Sequence, residues 1–132
     1  MKPFCLFIFF TTIYCSGYCQ SSGKALSIHS HFPSVLHPNQ QKQLVVEIEH
    51  RLHDETTGNI TFELFNYQTH TSVDGWFLNI FPFQYFTATP GQKFKTNFPF
   101  TVPGNFTGKV QLIIKATCGA FKDSVSQIIP VK

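Results

Sequence analysis

Histidine is the residue type in this chain best suited to chemistry, and His29 and His31 stand two apart, the spacing at which one strand face offers two imidazoles to a metal ion. His50 and His53 are the residues that could join them. No carboxylate or cysteine follows at a ligand spacing, so the favoured reading is a solvated strand face without metal. Ser124 follows Asp123, but no G-x-S-x-G elbow surrounds it to expose a nucleophile. Glu47 and Glu49 share one face of an alternating run, where solvation is the ordinary fate of paired carboxylates. Cys118 ends the run KVQLIIKAT with no histidine near it in sequence, which favours a structural, half-buried thiol over a reactive one. No glycine-rich loop is present to cradle a phosphate. An enzyme is therefore the least favoured class, and no cofactor is expected.

The elements that would position these residues alternate with period two. In QLVVEIEH, Leu44, Val46 and Ile48 point one way while Gln43, Glu47 and Glu49 point the other. Ile60, Phe62 and Leu64 repeat the pattern, as do Val110, Leu112, Ile114 and Ala116, and these three runs are the expected core strands. Further strands are expected over 25–31, 83–88, 93–102 and 121–131. Turns are expected at Pro38-Asn39, Gly58-Asn59, Asp74-Gly75, Pro90-Gly91 and Pro103-Gly104. Pro99 cannot donate to a ladder, so its strand should lie at an edge or carry a bulge. Seven strands punctuated this way predict an all-β, immunoglobulin-like sandwich of two antiparallel sheets.

The segment from Phe62 to Pro103 is dense in aromatic residues and centres on Asp74-Gly75-Trp76-Phe77. Strand-like runs flank it, so Trp76, Phe77, Phe81, Phe83 and Phe86 are expected to pack between the sheets. The alternative is an exposed loop contacting a protein through Trp76, Phe77, Phe81 and Phe83.

At the N-terminus, Lys2 precedes a nearly unbroken apolar run from Phe4 to Tyr14, followed by Ser16-Gly17 and Gln20. A run this short of the ~20 residues that span a bilayer, with a small-residue exit, reads as a secretory signal over 1–19. Export to a periplasm, cell surface or exterior follows, with residues 20–132 as one domain. Acylation at Cys19 is the minor alternative and would want a small residue where Tyr18 stands. Loss of the signal removes Cys5, Cys15, Cys19 and Lys2, leaving Cys118 alone and nine basic against seven acidic residues. That dispersed balance argues against nucleic acid, and no stable membrane span is expected after signal removal. Asn59-Ile60-Thr61 and Asn105-Phe106-Thr107 are glycosylation sequons in form, expected near turns.

From Phe32 to Val131 the sequence resembles one domain of the alpha-2-macroglobulin family in its bacterial, Bacteroidetes-like form. The resemblance is carried by FPSVLHPNQQ (32–41), ELF (63–65), DGWF (74–77), QYFTATPGQ (84–92), FPFTVP (98–103) and the closing run from VQLIIKAT to Ile129-Pro130-Val131. The domain it is similar to is the macroglobulin-type sandwich preceding the thioester domain. That resemblance implies a non-catalytic module of a protease-inhibitor family, with other macroglobulin-type domains or a protease as protein partners. The chain departs from the family at the reactive motif: Thr117-Cys118-Gly119-Ala120 is no version of Gly-Cys-Gly-Glu-Gln, and no bait region is evident. A free-standing adhesion or chaperone-like binding module is the alternative function.

Overall fold

The computed structural model describes residues 25–132, so the expectations for the leader fall outside the described residues. Seven strands form along the chain: β1 (Leu26–Ser30), β2 (Gln41–His50), β3 (Thr56–Asn66), β4 (Phe83–Ala88), β5 (Phe94–Thr101), β6 (Gly108–Cys118) and β7 (Phe121–Val131). They assort into a three-stranded sheet, β1-β2-β5, and a four-stranded sheet, β4-β3-β6-β7, with every pairing antiparallel. The result is an all-β sandwich. Among the described residues no helix is long and apolar enough to cross a membrane.

Alternation explains why the sheets close on each other. The inward set of β2 (Leu44, Val46, Ile48), of β3 (Ile60, Phe62, Leu64) and of β6 (Val110, Leu112, Ile114, Ala116) is buried. A one-residue slip in any of these strands would turn that set outward, so burial fixes the register, with Phe62 opposite Ile114. Across the interface the ring of Phe62 meets Phe98 at 5.3 Å and Phe100 at 5.7 Å, tying β3 to β5. Outward positions carry the polar contacts: His29 Nε2 lies 3.0 Å from Glu49, and Lys115 pairs with Glu63 at 3.4 Å and Lys93 with Glu47 at 3.8 Å. Exposed pairs of this kind contribute little to stability.

Turns and edges largely follow the expected chemistry. Thr89 to Gln92 closes a turn with the Gln92 amide donating to the Thr89 carbonyl, Pro90 and Gly91 at its centre, and Gly91 at φ 80°. Pro99 lies in β5, the edge of its sheet, opposite Gln43. The turn expected at Gly58-Asn59 is corrected: both residues lie inside β3, opposite Phe86 and Tyr85 of β4. Gly58 is there because backbone and ring approach closely. A Cβ at that position would stand 2.5 Å from the Thr117 carbonyl oxygen and 2.7 Å from the Phe86 ring. Asn59 is thus a mid-strand residue, whereas Asn105 stands exposed in the turn after β5.

Candidate functional site

Four histidines were the candidate ligands, and the fold does not gather them. His29 is exposed and bonds Glu49, His31 and His53 are exposed elsewhere, and His50 is buried with its Nε2 2.9 Å from the Thr89 carbonyl oxygen. Among the described residues no three His, Cys, Asp or Glu side chains cluster in a way that could hold a metal ion. Asp123 instead accepts the Ile28 amide at 2.9 Å, a structural bond from β7 to the edge of β1. Cys118 is a free thiol, more deeply buried than its position at a strand end indicates, and desolvation raises its pKa. Since the thiolate is the reactive form, its reaction with a disulfide reagent should run at least about tenfold slower in the native protein than in urea. Equal rates would show an accessible thiol.

The residues that stand out surround the connection between β3 and β4. Asp74 organises it. Its Oδ1 accepts the Leu64 amide at 2.8 Å and the Asn79 Nδ2 at 3.1 Å, and its Oδ2 accepts the Ser72 hydroxyl at 3.2 Å. Asn79 also donates Nδ2 to the Phe62 carbonyl at 2.8 Å, so this loop is bolted to the middle of β3. On the other sheet, the Thr101 amide donates to the Phe77 carbonyl at 2.8 Å. The loop therefore bridges the two sheets along one side of the sandwich, and Phe77 goes into the core with its ring 5.1 Å from that of Phe106. Neither role shows in the residue types, because the partners on β3 are backbone groups, which any residue carries.

Beyond Phe77 the expected packing fails. Phe77 and Phe86 are buried, but Trp76 is 47% exposed, Leu78 55%, Ile80 67%, Phe81 60%, Phe83 47% and Tyr85 70%. Core placement of Trp76, Phe81 and Phe83 is corrected accordingly, and so is a contact role for Phe77, which no partner can reach. The reason is positional. This stretch descends the side of the sandwich, from Phe77 beside Thr101 through Gln84, whose Nε2 donates to the Asn97 carbonyl, to Phe86, whose ring meets Phe94 at 5.4 Å. On β4 alternation sends Phe86 and Ala88 inward and Phe83 and Tyr85 outward. Leu78 and Ile80 line a groove of about 450 Å³ against Gln41, Lys42, Gln43, Pro99, Phe100 and Thr101, with Lys42 its one charged residue.

Two features show that this surface is held at a cost. Leu78 adopts a left-handed backbone at φ 55°, which a bulky side chain occupies only under constraint. The adjacent Asn79 has a buried Oδ1 without a hydrogen-bond partner. A glycine would adopt this backbone at position 78 without strain. Leu78→Gly is expected to leave unfolding free energy within about 0.5 kcal/mol of the parent, relief of strain offsetting the lost side chain. A loss above about 1.5 kcal/mol in urea unfolding would show that the leucine packs structurally.

Charge is absent from the same stretch: Gly75 to Gln92 holds no Asp, Glu, Lys, Arg or His. Phe83 and Tyr85 meet edge to face at 5.0 Å and 89°. The chemistry available here is apolar contact plus strand-edge hydrogen bonding.

No family model matches the chain, and no curated protein does. Solved structures with the same fold include a β-glucosidase from Listeria innocua in complex with isofagomine, with a TM-score of 0.57 at 11% identity over 82% of this chain and 16% of that one. Another is the alkylpurine DNA glycosylase AlkC of Pseudomonas fluorescens bound to DNA containing an abasic site analogue, with a TM-score of 0.53 at 10% identity over 83% of this chain and 31% of that one. At such identities the likeness is one of fold alone. The chain spans well under half the length of either.

Proposed function

We propose that the chain is a non-catalytic, immunoglobulin-like interaction module that contacts a protein through the apolar strip Trp76–Tyr85. The observation that carries this is the strip itself: large apolar side chains at consecutive solvent-facing positions, on a loop braced to both sheets and retaining a strained leucine. Scattered exposed apolar residues such as Val45, Phe121 and Ile128 are ordinary, whereas a contiguous patch marks an interaction surface. The secretory reading of residues 1–19 puts the partner outside the cytoplasm.

Membership of the macroglobulin-type sandwiches belongs to the same proposal. Its support is the order of the quoted motifs alone; the β-glucosidase and the DNA glycosylase add only the fold. In that setting the strip would seat against a sister domain. Neither a thioester nor a bait region is present in the sequence, so covalent trapping of a protease is not part of the reading.

A photo-crosslinking residue placed at Phe81, with one at Ser126 as control, tests the proposal in cells expressing the full chain. A discrete protein adduct is expected from position 81 and none from 126. Equal labelling from both positions, or none from 81, would remove the docking reading.

A further inference from the structure

A sandwich of two open sheets has four outer strands, and an outer strand invites pairing with another chain unless something blocks it. Three of the four are blocked here. β1 has five residues, and its Ile28 amide is taken by Asp123. β7 carries Lys122, Asp123 and Pro130, and its end is occupied by Leu36, whose amide donates to the Pro130 carbonyl at 3.0 Å and whose carbonyl accepts the Lys132 amide at 2.9 Å. β5 carries Lys95 and Pro99; its Thr101 amide is taken by Phe77 and its Asn97 carbonyl by Gln84. β4 differs. Its six residues, Phe-Gln-Tyr-Phe-Thr-Ala, include no charge and no proline, and it ends its sheet with Phe83 and Tyr85 facing solvent.

We propose that the occupant of this edge is a second copy of the same chain, its β4 pairing antiparallel with this one about a two-fold axis and joining the two four-stranded sheets into one. The inference rests on the reading of Trp76–Tyr85 as a docking surface and names what docks there. A two-fold contact sets each residue against its own kind or near neighbours, which a charged edge would resist and an uncharged one permits. The run Gly75–Gln92 satisfies that condition throughout its length. Area permits it. At about 200 Å² for a large aromatic side chain, the exposed fractions of Trp76, Leu78, Ile80, Phe81, Phe83 and Tyr85 offer at most about 700 Å², within reach of the ~800 Å² per partner of a stable interface only if most of the strip is covered. Strand addition supplies the hydrogen bonds and the outward rings the selectivity.

Sedimentation of the purified full chain between about 1 and about 100 μM tests the pairing over the range of an ordinary reversible dimer. A dimer is expected at the upper end, with β4 amides protected from exchange there and not on dilution. Tyr85→Lys and Phe83→Lys, both at exposed positions, should be monomeric throughout with unchanged circular dichroism, while Ser126→Lys on β7 stays dimeric. A parent protein that remains monomeric at about 100 μM overturns the proposal, and so does a dimer that survives both lysine substitutions. A monomer whose crosslinker at Phe81 still joins a different protein overturns self-pairing alone. Absence of both dimer and crosslink removes the docking reading with it.

Discussion

Phe62→Ala is expected to cost about 4 kcal/mol of unfolding free energy, the usual loss for a fully buried aromatic in a packed interior. Phe62 sits in β3, a strand paired on both sides, and its ring is the one that meets Phe98 and Phe100 across the sheets. Truncation removes the transfer free energy of the ring and two aromatic contacts. It leaves a cavity between sheets whose spacing the remaining strands hold. For a domain of this size the thermal midpoint should fall by about 20 °C. Phe62→Leu refills most of the space and should lose less than about 2 kcal/mol. Thermal and urea unfolding of the two variants check this. A loss under about 1.5 kcal/mol for the alanine variant would mean that Phe98 and Phe100 collapse into the gap and that the sheets are not rigidly spaced.

Strand identity was legible because burial on one face writes itself into alternation. The inward sets of β2, β3 and β6 are the ones the sequence displays, β4 and β7 have the expected bounds, and Pro99 lies on an edge strand as its missing amide requires. Gly58 misled because a glycine needed for close approach looks, in sequence, like a glycine needed for a turn. What distinguishes the two is the Thr117 carbonyl, which lies on another strand. The placement of Trp76, Phe81 and Phe83 misled for a related reason. In the run from Phe81 to Ala88 both alternating sets contain large rings, Phe83 and Tyr85 in one and Phe86 in the other, so the pattern does not say which set faces in. The signal that was available is the lack of any charge from Gly75 to Gln92, which an ordinary solvated edge would not show. Asp74 and Asn79 had no such signal, since their roles depend on the backbone of Leu64 and Phe62.

Trp76 and Phe77 are neighbours in sequence with opposite fates, so urea unfolding of Trp76→Ala beside Phe77→Ala tests most directly whether the strip is surface and the residue next to it core. Phe77 is fully buried, whereas Trp76 is half exposed and rests one edge on Phe106 at 5.4 Å. The expected loss is about 3–5 kcal/mol for Phe77→Ala and about 1–2 kcal/mol for Trp76→Ala, the latter from one edge contact and the buried half of the ring. Equal losses, or a larger one at Trp76, would put the tryptophan inside the sandwich and contradict the account of a docking surface.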